Sequence, residues 1–144
     1  MSLLSVVVKQ ALINDYGTDG NFNTYVVLKI GSVKSSTLPL LGVQPGWQEE
    51  FCFELDEFDT GLTIELWNRG ILWDNLLGLH WLPLVNVNHS NVDHDQSNEV
   101  SISLDSELCL RDGKIIGTQI ATGHKMLISA KIDISAAGLF FTGL

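Results

Sequence analysis

The sequence predicts an all-β fold, an antiparallel sandwich of about eight strands. Three observations predict it. β-Branched and aromatic residues fall in short runs broken by Gly, Pro, Asn and Asp, and several of these runs alternate apolar and polar residues with a period of two. No segment carries a clear helical period.

The first run, Leu3 to Ala11, suits a buried strand better than a secretion signal, because no basic leader precedes it and Lys9 follows its short apolar core. A polar turn, Asn14 to Asn21, separates it from Thr24 to Ile30, and Gly31 breaks that strand from Val33 to Leu38. Pro45-Gly46 then turns the chain into Trp47 to Leu55. There Trp47, Glu49, Phe51, Phe53 and Leu55 share one face, and Gln48, Glu50, Cys52 and Glu54 share the other. In Leu62 to Trp67, the residues Leu62, Ile64 and Leu66 point inward against Thr63 and Glu65. Leu76 to Leu84 follows a loop through Asn75, and a polar insert, Asn86 to Asn98, leads to Val100 to Leu104. Met126 to Ile134 completes the set. The pattern is least clear between Asp105 and Thr122, which leaves room for a short helix.

A chain of 144 residues is the size of one domain. Its 45% hydrophobic and 17% charged residues exclude a disordered tail. A net charge of −9 argues against nucleic acid and against unaided attraction to anionic lipid. No apolar run approaches the roughly 18 residues of a membrane span, and the apolar tail, residues 135–144, is too short to cross a bilayer. Cys52 and Cys109 are expected as two unpaired thiols in a reducing, cytoplasmic compartment. His80, His89, His94 and His124 are scattered, and no serine elbow, phosphate loop or paired carboxylates accompany them. Only His89, Asp93, His94 and Asp95 in the polar insert could gather around a metal. No enzymatic activity and no cofactor are expected.

The order of motifs resembles the C2 domain family. Asn23-Thr24-Tyr25-Val26 stands where C2 domains carry Asp-Pro-Tyr-Val, Pro45-Gly46-Trp47 leads into alternating phenylalanines, and Asn75-Leu76-Leu77-Gly78 stands where the third loop ends in Asp-x-Ile-Gly. The resemblance runs from about Ser2 to Ile134 and implies a C2 β-sandwich over residues 1–134. Because the first strand already precedes the first loop, its sheet partner is expected from Met126 to Ile134, the permuted arrangement called type II.

Within that family, the chain is similar to the N-terminal, calcium-independent C2 domain of the Unc-thirteen (Munc-thirteen) vesicle-priming proteins. The likeness rests on Met1-Ser2-Leu3-Leu4, Phe22-Asn23-Thr24-Tyr25-Val26, Ser32 to Thr37, Gln44 to Trp47, Gly61 to Asn68, Gly70-Ile71-Leu72-Trp73-Asp74 and Ile116-Gly117-Thr118. It implies a cytoplasmic protein of the presynaptic active zone that acts in synaptic vesicle priming and exocytosis. The implied partners are a second copy of the domain and the zinc-finger domain of the Rab-interacting active-zone scaffold. Lys34 and, more weakly, Lys29 are the protein-contact residues implied. Residues 135–144 depart from the charged helical extension that helps relatives bind the scaffold.

Calcium requires several charged oxygen ligands. Carried over position by position, the ligand aspartates fall at Asn23, Asn68, Gly70 and Asn75, none of which has a carboxylate. Asp15, Asp19 and Asp74 lie in or beside the same loops. Asp15 to Gly20 is similar to the opening of an EF-hand loop, but that loop's twelfth position would be Val26 rather than the required glutamate. No metal is therefore expected. A lipid reading has one candidate, insertion of the loop tip Ile71-Leu72-Trp73 into a bilayer. The alternatives for the tip are packing of Trp73 back on the sandwich edge and a protein interface.

Overall fold

In the computed structural model, residues 2–14, 21–89 and 98–134 are described. The strands are β1 (Ser2–Leu12), β2 (Asn23–Ile30), β3 (Val33–Ser36), β4 (Leu40–Leu41), β5 (Gly46–Leu55), β6 (Gly61–Asn68), β7 (Asn75–Pro83), β8 (Asn88–His89), β9 (Glu99–Arg111) and β10 (Lys114–Ile134). The sheet path runs β3-β2-β6-β7-β9-β10-β1-β5. β7 and β9 meet at the single pair Leu79↔Asp105, so the path folds there into two four-stranded layers. β1 lies antiparallel between β10 and β5, with Leu4 opposite both Ile132 and Phe53. The end of the last strand thus completes the sheet of the first, as type II topology requires.

The core follows from alternation. Leu4, Val6 and Val8 of β1, Val26 and Leu28 of β2, and Leu62, Ile64 and Leu66 of β6 are all fully buried. They meet Leu104 of β9 and Met126 and Ile128 of β10 in one cluster. Lys9 is an extra residue in β1, opposite the step from Ile128 to Leu127. This bulge moves the inward set from Val8 to Ala11 and Ile13. In β5, Trp47 and Phe53 are buried, and Glu49 shares their side at the strand's start, where its carboxylate accepts the Leu38 N–H at 3.2 Å. Cys52 faces out, exposed, and both cysteines are free thiols.

Two sequence expectations need correction. Val33 to Leu38 is not one strand: Pro39 brings no N–H to a ladder, and β3 ends at Ser36. Thr37 turns inward instead, its Oγ1 accepting the Val26 N–H at 2.9 Å, while Leu38 stays exposed and only its backbone O is engaged, accepting the Trp47 indole N–H at 2.7 Å. Nor does a helix lie between Asp105 and Thr122. β9 runs on to Arg111 and returns as β10 from Lys114, paired Arg111↔Lys114 and Ile115↔Leu110. The reversal is Asp112-Gly113, with φ of 52° and 78°, the two left-handed residues of a type I′ hairpin turn. An Asp-Gly pair flanked by Leu110 and Ile115 is a hairpin signal present in the sequence.

Candidate functional site

Two surfaces carry the candidate residues of the sequence: the loop end of the sandwich and the outer face of the layer containing β2 and β6. Pairing of β2, β6 and β7 brings to one end of the sandwich the positions Asn23, Asn68 and Asn75, with Gly70 in the loop between them, that the resemblance aligns with ligand aspartates. Asn68 lies opposite Thr24 on one side and Asn75 on the other. The Asn23 N–H donates to Asn68 Oδ1 at 2.9 Å, and Asn23 O accepts the Arg69 N–H at 2.8 Å. An amide side chain therefore ties the start of β2 to the end of β6 at this loop end. Gly70 begins the third loop against backbone: a Cβ there would stand 2.1 Å from Trp73 O.

Asp74 is the carboxylate of this end that the structure describes, and it is already engaged. One oxygen accepts the Gly70 N–H at 3.1 Å, and the other accepts the Tyr25 hydroxyl. The Tyr25 bond, then that of Gly70, holds the Asp74 carboxyl below its ordinary value. Burial, followed by the bond to Asp74, pushes the Tyr25 hydroxyl up to about 12. Asp15, Asp19, Asp93, His94 and Asp95 lie outside the described residues. Among the described residues, no three His, Cys, Asp or Glu side chains gather where they could hold a metal ion.

Ile71, Leu72 and Trp73 form the loop tip and are 102%, 83% and 70% exposed. Trp73 does not pack back on the sandwich, which removes one of the alternatives weighed for it. Leu41 of β4 is exposed as well.

On the outer face, Tyr25, Val27 and Lys29 of β2, Lys34 and Ser36 of β3, and Glu65 and Trp67 of β6 line a shallow hollow of about 340 Å³. Lys29 and Lys34 are directly opposite each other. Their surroundings differ: Lys29 pairs with Glu65 at 3.2 Å, and Glu65 also accepts the Trp67 indole N–H at 2.9 Å. Lys34 is exposed and makes no ion pair among the described residues. Tyr25 and Trp67, opposite each other on β2 and β6, are the wall residues that reasoning from charge alone missed. Their period-two spacing with Val27 and Glu65 was the available signal.

His124 anchors the end of β1, its Nδ1 accepting the Asn14 N–H at 3.0 Å, and His80 Nδ1 bonds Ser103 O at 3.1 Å. Burial holds both imidazoles below their ordinary value of 6.5. The unfolded chain therefore binds these protons more readily than the folded chain. Stability from these groups is fully present above about pH 6.5 and is lost as pH falls through the folded values. The thermal midpoint is expected to fall from pH 7.5 to 5.5, flanking that value by about one unit on each side. A His80→Gln, His124→Gln double variant is expected to flatten the slope, and an unchanged slope would refute the assignment.

Comparison with known proteins bears on the family. The family model described as "C2 domain" matches residues 2–103. A C2 domain of plant Extended Synaptotagmin 1 superposes with a TM-score of 0.67 at 15% identity, covering 93% of this chain and 95% of that one. Human GIVD cytosolic phospholipase A2 gives 0.67 at 13% identity over 94% of this chain and 16% of the enzyme's. A pair of C2 domains from Extended-Synaptotagmin 2, solved with calcium bound, gives 0.60 at 15% identity over 90% of this chain and 44% of that one. At these identities the structural likeness speaks for the fold alone. With the family model covering well over half the chain and strands in the expected permuted order, this protein belongs to the C2 domain family.

Proposed function

We propose that the chain is a calcium-independent protein-interaction module of a presynaptic vesicle-priming protein. It forms homodimers, and heterodimers with the zinc-finger domain of the Rab-interacting active-zone scaffold, in the cytoplasm at the active zone. The observation that carries the reading is the hollow on the outer face. It has aromatic walls in Tyr25 and Trp67 and a floor at Val27, and at its rim stands Lys34, a cation with no ion pair among the described residues. Such a surface suits a partner with an acidic side chain for Lys34 and an apolar one for the floor. Calcium independence is supported by the loop end, where amides and Gly70 stand in the ligand positions.

Lys34→Glu gives a clean test. Lys34 is exposed and Lys29 opposite it is already paired with Glu65, so the substitution is expected to change monomer stability by no more than about 0.5 kcal/mol. Sedimentation is expected to show a dimer for the wild type, with or without calcium, and a monomer for K34E. A wild-type monomer, or a dimer unchanged in K34E, would sink the role given to Lys34.

A second reading is a peripheral membrane module, and the exposure of Ile71, Leu72 and Trp73 favours it. Co-sedimentation with phosphatidylserine vesicles in the absence of calcium, lost in Trp73→Ala, is its expected signature. Binding that requires calcium would count against both readings.

A further inference from the structure

We propose that Asp74, held by Tyr25, is a positioning residue that keeps the third loop ordered and its apolar tip presented with no ligand bound. It does by hydrogen bonds what a bridging cation does where loops carry paired carboxylates. The proposal concerns the order of the tip, and it holds whether that tip meets a protein or a bilayer.

Ile71, Leu72 and Trp73 gain little burial from holding one conformation, so their order must come from the loop's base. A hard cation orders such a base by drawing carboxylates from several loops around one charge. Here that base is built from three bonds. The Arg69 N–H bonds Asn23 O, the Gly70 N–H bonds Asp74 Oδ1, and the Tyr25 hydroxyl bonds Asp74 Oδ2. Asp74 thus uses one oxygen to close the loop on itself and the other to fasten it to β2. Two donors satisfy the carboxylate, and Arg69 adds a favourable charge nearby, so no cation is called for. The absence of a Cβ at Gly70 lets Trp73 O come close enough to complete the turn.

The lock is also constitutive. With its hydroxyl pushed up to about 12, Tyr25 remains a donor at any physiological pH. With its carboxyl held low, Asp74 remains an acceptor. Ordinary acidity does not open it. The tip is presented at all times, where a cation-ordered loop would be presented on demand.

The test is backbone amide relaxation on the full chain for the wild type, Asp74→Asn and Tyr25→Phe. In the wild type, order parameters at Ile71, Leu72 and Trp73 are expected near the rigid value of about 0.85, unaltered by millimolar calcium. Both variants are expected to fall below about 0.6 at these three residues, while the amides of β2 and β6 stay rigid and the thermal midpoint stays near that of the wild type. Tyr25→Phe keeps the ring and removes only the hydroxyl, so it gives the reading on its own should Asp74→Asn fail to fold. A tip as rigid in Tyr25→Phe as in the wild type would overturn the proposal, and so would a wild-type tip that becomes rigid only on adding calcium.

Discussion

Leu66→Ala is expected to lower the free energy of unfolding by about 2–5 kcal/mol, read as a shift of the denaturation midpoint with the slope unchanged. Leu66 is fully buried in β6, opposite Val26 of β2 on one side and Gly78 of β7 on the other. Gly78 has no side chain that could move into the void. The cavity therefore stays open, which favours the upper half of the range. Against the roughly 5–15 kcal/mol that holds a typical domain together, this is a large fraction. Leu72→Ala provides the contrast, because the exposed tip should cost no more than about 0.5 kcal/mol. Equal effects at Leu66 and Leu72 would refute the division between core and presented tip.

Gly70→Asp is expected to break the third loop, although it restores a carboxylate to a ligand position. Any side chain at Gly70 must begin with a Cβ 2.1 Å from Trp73 O and 3.2 Å from Trp73 C, both backbone atoms that cannot swing aside as a side chain would. Overpacking of this kind costs about 1–3 kcal/mol. The bonds from the Gly70 N–H to Asp74 and from the Arg69 N–H to Asn23 are expected to go with it. Calorimetry should detect no calcium binding by the variant, and proteolysis should cut it within the third loop. Calcium binding by a stably folded Gly70→Asp variant would show that the loop can return to a metal-holding form.

Much of the fold was legible in the residues. Alternation in β6 placed Leu62, Ile64 and Leu66 inward, because a strand has only two faces and one was apolar. Motif order placed the last strand beside the first, and the β1–β10 register follows it from Ser2↔Ile134 to Leu12↔Lys125. The β9–β10 hairpin was missed although Asp112-Gly113 announces it. Its flanks, Leu108 to Arg111 and Lys114 to Thr118, expose Leu110 and Ile116, so they show none of the one-sided burial on which alternation depends. The break at Pro39 was written in the sequence too, but continuing β-branched and apolar residues masked it.

The site divides in the same way. The sequence by itself determined which side chains stand where the resemblance places ligand aspartates: Asn23, Asn68, Gly70 and Asn75 have no carboxylate in any conformation. Only the tertiary structure decided what fills their place, because Asn23 and Asn68 meet across 45 residues of chain and Tyr25 reaches Asp74 across 49. In the same way, the sequence supplied two lysines, and only the sheet register told them apart. Glu65 lies on a neighbouring strand within reach of Lys29, while Lys34 on β3 is left exposed. Composition fixes which charges and donors exist; pairing them over long separations is the work of the sandwich, and it leaves Lys34 and the Ile71–Trp73 tip facing outward.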